Sequence, residues 1–270
     1  MVVLTSVAAA AIAVAAGVLC AGGEAGAAGI PSYLLFSGTD FWRYGAFLYG
    51  GLIWSPAGLD NSGFSLKTLL DGGHYDYPAS NGSQQTIGGT KLSVAVMPGW
   101  RFVRGDLNVT VFGGALLQDY RLTPDDPGSH LRGFYAGAAL GADVWYQPNP
   151  MTMVALNGAV ASIGPTGYLR AAAGVRLFPP AFVGPEMQHI WSGDYQEFQL
   201  GAHLTGFHVN ALEWSAGTGA AMTSDRRWGP ICGSASTPGI DVLTARARRA
   251  RSRCAPAGRP CWADFRRART

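Results

Sequence analysis

The chain has 270 residues, of which 48% are hydrophobic, only 14% are charged and 38 are glycine. No apolar run after residue 30 approaches the roughly 20 residues that a membrane-spanning helix needs, which excludes a helical membrane protein for the body of the chain. Nine of the 20 Lys and Arg lie between Arg246 and Arg269, whereas only two of the 17 acidic residues follow Ile240. Residues 1–240 therefore carry 11 basic and 15 acidic side chains, a net charge of −4. This negative charge excludes a nucleic-acid partner.

The first segment, residues 2–19, is a mostly apolar run of Ala, Val and Leu, and small residues follow it as far as Ala28. This order is typical of a secretory signal peptide that is cleaved near Ala27 or Ala28, although no Lys or Arg precedes the apolar run. We therefore expect residues 1–28 to be a signal peptide, with a membrane anchor helix as the alternative.

From Tyr33 onward, apolar side chains alternate with polar or small ones, the period of two that marks β-strands. In the clearest case every even position from Phe134 to Tyr146 is apolar or aromatic. Several segments have ten or more residues, as bilayer-spanning strands need, whereas soluble strands average about five or six. We predict strands at 33–42, 46–55, 63–76, 90–103, 107–120, 132–146, 151–162, 167–178, 181–191, 195–205 and 208–222.

The connections between these strands differ in length in a regular way. Short connections, such as 147–150 and 179–180, alternate with the two longest ones at 77–89 and 121–131. Outer-membrane barrels have short periplasmic turns and longer outer loops, and their Trp and Tyr residues gather near strand ends, as they do here. We predict an all-β fold, an antiparallel up-and-down transmembrane β-barrel of about 12 strands in residues 29–230, with a soluble barrel or sandwich as the alternative.

The end of the chain does not continue this pattern. Eleven predicted strands make an odd number, whereas bacterial barrels have even numbers, yet residues 231–270 are rich in Arg, Ala, Pro and Cys without a period of two. We expect a basic, disordered tail there, either genuine or produced by a reading-frame change near residue 230. No membrane strand is then expected beyond about Gly233, which leaves the closing strand in doubt and the barrel with open edges.

The polar faces of the predicted strands carry charged and amide side chains. Because Arg or Lys facing lipid at the bilayer midplane costs about 2–4 kcal/mol, these side chains should point into the lumen. We expect Arg170 and Arg176 to have acidic neighbours, such as Asp143 or Glu197, within reach there. Two roles are open, a structural plug of salt bridges or a lining that contacts polysaccharide or another solute. The predicted lumen-lining residues are Lys67, Asp71, Arg101, Asp143, Asn157, Arg170, Arg176, Glu197, Gln199, His203 and Glu213.

Motifs that carry catalysis are absent from the sequence, which has no Gly-x-Ser-x-Gly, no His-Glu-x-x-His and no Walker loop. Its five histidines are scattered, whereas metal ligands cluster. We interpret Asp125-Asp126, beside Pro127-Gly128, as a solvated turn rather than a calcium site. No catalytic residue, metal or cofactor is therefore expected.

Several stretches together resemble the cellulose biosynthesis protein BcsS family of Gram-negative bacteria. They are residues 36–38, 47–56, 95–102, 118–122, 125–129, 161–167, 182–186 and 221–227. The resemblance covers roughly residues 33–229 and rests on matched turns rather than on a catalytic signature. It implies a role in cellulose production, with outer-membrane lipid, cellulose and other cellulose-secretion components as partners.

Together these observations predict a non-enzymatic accessory protein of cellulose biosynthesis or export, located in the cell outer membrane. The alternative is an outer-membrane barrel enzyme that modifies lipid or polysaccharide. Such an enzyme needs a Ser or His paired with a carboxylate. His203 and Glu197 share a strand face but lie about 20 Å apart by strand rise, so the partner would have to come from a neighbouring strand.

Overall fold

The computed structural model describes residues 32–79, 85–193, 195–209, 212–224 and 228–238. They form a closed antiparallel barrel of twelve strands, in which each strand pairs with its neighbours in sequence and the last pairs with the first. The strands are β1 (Tyr33–Trp42), β2 (Gly45–Trp54), β3 (Gly63–Pro78), β4 (Thr86–Arg104), β5 (Leu107–Thr123), β6 (Gly133–Asn149), β7 (Thr152–Ala161), β8 (Thr166–Phe178), β9 (Ala181–Ser192), β10 (Tyr195–Val209), β11 (Leu212–Thr223) and β12 (Trp228–Pro238). The predicted all-β barrel of about 12 strands is confirmed. Among the described residues there is no helix of the length and apolar character that crossing a bilayer requires.

Alternation along each strand separates an outer face from a lumen face. In β6, Asp143 points into the lumen toward Lys67, whereas Phe134 lies outside with 67% of its surface exposed. Each of the twelve strands places at least one exposed large apolar side chain on the outside. A continuous exposed apolar band of this kind is the lipid-facing surface of a membrane-spanning barrel.

The interior of the barrel is packed unevenly. On the side of β3–β6, Met97, Phe112 and Leu116 are buried in a hydrophobic cluster inside the lumen. On the side of β10–β12, five lumen-facing positions are small, and we call them the small-residue wall: Gly201, Ser215, Gly217, Gly219 and Gly233. One half of the interior is therefore filled by side chains, and the other half leaves space.

The end of the barrel differs from the expectation. β12 pairs with β11 from Trp228 to Pro238 and with β1 from Ile231 to Ser236, so the barrel is closed and extends past residue 230. The expectation of no strand beyond about Gly233, and of open edges, is wrong. The residues of β12 are mostly small, so its sequence shows no alternation of apolar and polar side chains. Its backbone nevertheless pairs with both neighbouring strands, because backbone groups within lipid must form hydrogen bonds inside the protein. The predicted signal peptide 1–28 and the tail after Pro238 lie outside the described residues.

The two long connections are shorter than the sequence suggested. β3 continues to Pro78 and β4 begins at Thr86, and the pair Tyr77↔Ile87 lies within the ladder. Gly89 falls within the predicted connection but lies in β4, where a Cβ would be 2.4 Å from the Tyr75 ring, so the close approach of this ring requires glycine. β3–β6 are therefore the longest strands of the barrel, and they extend farthest at the end opposite the described termini.

The first prediction concerns closure. A chain that ends after Pro238 keeps β12, whereas a chain that ends at residue 227 loses the partner of both β1 and β11. Because unpaired backbone in lipid costs several kcal/mol per group, we expect heat-modifiable, folded barrel from the first chain and almost none from the second. Gel mobility with and without boiling measures this, and equal folded yields would contradict the need for β12.

Candidate functional site

Five lumen side chains form a continuous polar row, which we call the lumen network: Lys67, Asp143, Asn157, Arg170 and Glu186. The Lys67 ammonium lies 2.8 Å from a carboxylate oxygen of Asp143, and the Asn157 amide donates to the other oxygen at 3.2 Å. Arg170 donates to the Asn157 carbonyl oxygen at 3.5 Å and to Glu186 at 2.5 Å. The row joins β3 to β6–β9, so it crosses the lumen and does not only follow one wall.

The lumen network is arranged so that each charge has an opposite charge beside it. An unpaired charge in a desolvated lumen is expensive, and pairing with added hydrogen bonds offsets that cost. The Lys67 ammonium also lies 5.1 Å from the Phe112 ring centre and 5.9 Å from that of Phe36, within cation–π range. Lys67 therefore contacts both the hydrophobic cluster on the side of β3–β6, through Phe112, and the lumen network, through Asp143.

All eleven predicted lumen-lining residues lie at lumen-facing positions of the strand register. Four of them belong to the lumen network, and Asp71 pairs with Lys91 at 3.1 Å. Arg170 has an acidic neighbour as expected, and this partner is Glu186 rather than Asp143 or Glu197. Arg176 donates instead to the Pro150 carbonyl oxygen, near the end where the described termini lie.

Glu197 and Gln199 form a separate pair on β10. The Glu197 carboxylate is buried and accepts hydrogen bonds from the Tyr195 hydroxyl and, at 2.6 Å, from the Gln199 amide. These two groups, both on β10, satisfy the carboxylate locally.

His203 is 2% exposed, and both of its ring nitrogens have partners. Its Nε2 lies 3.2 Å from the Ala173 carbonyl oxygen and its Nδ1 lies 3.2 Å from the Thr205 hydroxyl. Because a carbonyl oxygen only accepts, Nε2 carries the proton. The ring thus braces β10 against β8.

Arg101 and Glu213 complete the predicted set. Arg101 donates to the Leu59 carbonyl oxygen at 3.0 Å and so holds the β2–β3 connection inside the barrel mouth. Glu213 lies near the start of β11, at the end of the barrel where the described termini lie, and its side chain lines a cavity in the lumen.

A cavity of about 430 Å³ lies between the lumen network and the small-residue wall, within the usual range for small-molecule sites. Its lining is rich in groups that form hydrogen bonds, among them Asp40, Tyr49, Asn108, Gln188, Gln199 and Thr205. Trp145 adds one aromatic surface. The cavity can therefore hold a polar molecule by many weak, directed contacts.

The sequence reasoning missed several lumen residues that the structure adds. Asp40 and Gln188 line the cavity, Glu186 belongs to the lumen network, and Lys91 pairs with Asp71. Asp40 and Glu186 lie inside predicted strands, at positions that alternation alone assigns to the lumen. That signal was available for both residues.

The β5–β6 connection, residues 124–132, folds over part of the lumen at the end opposite the described termini. Asp126 is 5% exposed and accepts hydrogen bonds from the Tyr77 hydroxyl and the Gly128 amide, both at 3.2 Å. Leu131 packs against the hydrophobic cluster of the packed half. The interpretation of a solvated turn is therefore wrong for Asp126, although Asp125 is exposed.

A metal site is also absent from the part of the chain that the structure describes, where no three His, Cys, Asp or Glu side chains are grouped to hold an ion.

The sequence pattern of the family described as "Cellulose biosynthesis protein BcsS" matches residues 34–237. The chain belongs to this family. The match includes nearly all of β12, so the closing strand is part of the family's domain. No curated protein matches the chain.

Three solved structures have a chain path that is similar in part. LpxR from Salmonella typhimurium is 11% identical with a TM-score of 0.46 and covers 77% of this chain and 100% of its own. The translocator domain of the autotransporter NalP from Neisseria meningitidis is 14% identical with a TM-score of 0.43, covering 86% and 98%. The KdgM porin is 8% identical with a TM-score of 0.40, covering 77% and 99%. At these values the likeness concerns chain architecture and carries no shared solute or activity.

The second prediction tests the pairing in the lumen. Lys67→Met leaves the Asp143 carboxylate without its cation. We expect a loss of about 2 kcal/mol in unfolding free energy, below the roughly 3–5 kcal/mol of fully buried pairs because the two side chains are 13% and 24% exposed. The double variant Lys67→Met, Asp143→Leu should recover most of it. Urea unfolding in lipid vesicles measures this.

The matched control for this pair is Arg121→Met, which removes an exposed ion pair with Asp119 and should change stability little. A Lys67→Met protein as stable as the unchanged chain would contradict the energetic role of the lumen network.

The third prediction concerns the β5–β6 connection. Asp126→Ala removes the acceptor for two hydrogen bonds, a loss of about 1–3 kcal/mol, so transient opening should rise by roughly fivefold or more. Trypsin cleavage after Arg132, followed by mass spectrometry on the purified barrel, measures this opening. Asp119→Ala, which removes a neighbouring exposed ion pair with Arg121, should leave the rate unchanged, and equal rates for both variants would refute the anchoring role of Asp126.

Proposed function

We propose that this barrel is a non-enzymatic accessory protein of cellulose biosynthesis or export, located in the outer membrane of a Gram-negative cell. Membership of the BcsS family supports the link to cellulose, and the continuous apolar band around the barrel supports a bilayer location. At the end of the described termini every connection except β2–β3 spans only two residues, whereas the long β3–β4 and β5–β6 connections lie at the opposite end. We place that end in the periplasm, where outer-membrane barrels have their short turns.

We also propose that the lumen contacts polysaccharide. One observation carries this proposal, the cavity whose lining includes many hydrogen-bonding side chains, four of which belong to the lumen network. A purely structural plug would fill the lumen, as side chains do in the packed half, and would leave no such space. The lumen network then braces the barrel and also positions polar groups around the cavity.

The proposed partners follow from this location. Outer-membrane lipid covers the apolar band, cellulose or its fragments meet the lumen, and other cellulose-secretion components meet the barrel ends. Nucleic acid is not among them, because residues 1–240 carry a net negative charge.

The contacts of His203 support a non-enzymatic role over the enzyme alternative. A histidine that acts as general base needs one nitrogen directed at a nucleophile and the other oriented by a partner group such as a carboxylate. His203 instead binds the Ala173 carbonyl oxygen and the Thr205 hydroxyl and is buried. It therefore braces two strands, which is a structural task.

The fourth prediction tests the proposed function in cells. Deleting the gene should reduce cellulose output, and the intact gene should restore it, with the protein found as a heat-modifiable band in the outer-membrane fraction. Arg170→Met together with Glu186→Leu removes one lumen ion pair at nearly constant volume. We expect this variant to reach the outer membrane at normal levels but to restore cellulose only in part.

Three results would contradict the proposal. Recovery of the protein in the soluble periplasm would exclude the membrane location, and unchanged cellulose output after deletion would exclude the role in cellulose production. Hydrolysis of lipid A or of β-glucan by the purified barrel, abolished by His203→Ala, would favour the enzyme.

A further inference from the structure

The glycines of the small-residue wall differ in whether strand packing requires glycine at their positions. A Cβ at Gly201 would lie 2.2 Å from the Thr218 carbonyl oxygen, and a Cβ at Gly219 would lie 2.3 Å from that of Leu200. Backbone cannot move aside at such distances, so these two positions require glycine for the packing of neighbouring strands. Their identity carries no information about a ligand.

Gly217 has no such requirement. A Cβ there would lie 3.7 Å from the Ala202 carbonyl oxygen and 3.9 Å from a carboxylate oxygen of Glu186, which are ordinary contacts. Its φ is not in the left-handed region that favours glycine. Glycine inside a strand is less stable than alanine by roughly 0.5–1 kcal/mol, so this position gives up stability without a steric reason in the fold. What glycine leaves there is space, and that space opens onto the cavity beside Glu186.

The charges around the cavity indicate what the space can hold. Its Asp, Glu and Arg lining groups are Asp40, Arg101, Asp143, Arg170, Glu186 and Glu213. With Lys67 beside Asp143, four acidic groups face three basic ones. An anionic ligand would meet a slightly negative surface, so the lining favours a neutral one.

The remaining lining groups suit a molecule with many hydroxyls. The side-chain amides of Asn157, Gln188 and Gln199 each donate and accept hydrogen bonds, as hydroxyls do. Trp145 adds an apolar ring surface against which the C–H face of a sugar can pack. A neutral sugar offers both surfaces together, unlike a hydrocarbon or an inorganic ion.

We propose that the cavity binds a neutral oligosaccharide segment along β11, and that Gly217 keeps open the space that this segment occupies beside Glu186. The inference rests on the proposed function for its polymer class, and it adds a position, a charge class and a residue that determines access. A larger side chain at residue 217 would project from β11 into this space and exclude the oligosaccharide from it.

The fifth prediction compares two leucine substitutions. Gly217→Leu fills the cavity, whereas Gly50→Leu places the same side chain on the lipid-facing side of β2, where a Cβ has only ordinary contacts at 3.5 Å or more. With cellotetraose and the purified barrel in detergent, isothermal titration calorimetry should detect binding by the unchanged protein and by Gly50→Leu. Because steric exclusion typically exceeds 1.4 kcal/mol, Gly217→Leu should lose roughly tenfold or more in affinity.

Two further measurements keep the comparison decisive. Heat-modifiable gel migration shows whether each variant is folded, and Ser215→Leu, which fills the same wall two residues away, replaces Gly217→Leu if that variant does not fold. Trigalacturonate, an anionic probe, should bind more weakly than cellotetraose if the lining favours a neutral saccharide.

The outcomes separate this inference from the proposed function. Absence of cellotetraose binding by the unchanged barrel, or equal binding after filling the wall, would overturn the inference even if gene deletion still reduces cellulose. Equal or tighter binding of trigalacturonate would overturn the assignment to a neutral ligand. Unchanged cellulose after deletion would instead remove the proposed function.

Discussion

The whole structure depends on one constraint, that every backbone amide and carbonyl group within the bilayer must be hydrogen-bonded inside the protein. A sheet satisfies this only when it closes, and here β12 closes it by pairing with both β1 and β11. Because closure depends on backbone hydrogen bonds rather than on side chains, β12 can consist mainly of small residues. With the ladder complete, outward positions are free to be apolar and inward positions are free to carry charge.

Inside the barrel, the same logic applies to side chains. Charges that face the lumen must pair, and the lumen network does so across five strands, from Lys67 to Glu186. Because this row braces one side of the interior and the hydrophobic cluster fills the space around Phe112, the small-residue wall can remain bare. The cavity is thus a consequence of how unevenly large side chains are distributed around the barrel.

The sequence predicts much of this fold and little of the site. Alternation alone predicted β1 as residues 33–42, as the structure has it, because lipid on one side and polar lumen on the other enforce a period of two. It failed for β12, whose ladder is carried by backbone. It assigned Arg170 to the lumen but could not choose Glu186 as its partner, since that choice depends on strand stagger. The cavity could not be predicted, because it arises from side chains that are missing at Gly217 and its neighbours.

The seam between β1 and β12 has a mechanical consequence. Only six residue pairs join these strands, whereas sixteen join β3 to β4. Local opening in proteins follows the weakest cooperative contacts, so thermal fluctuations of this barrel should concentrate at the seam. The cavity includes residues of both seam strands, Asp40 and Gly233. The strand pair that borders the cavity therefore has one of the shortest ladders of the barrel, and the barrel wall should separate there most readily.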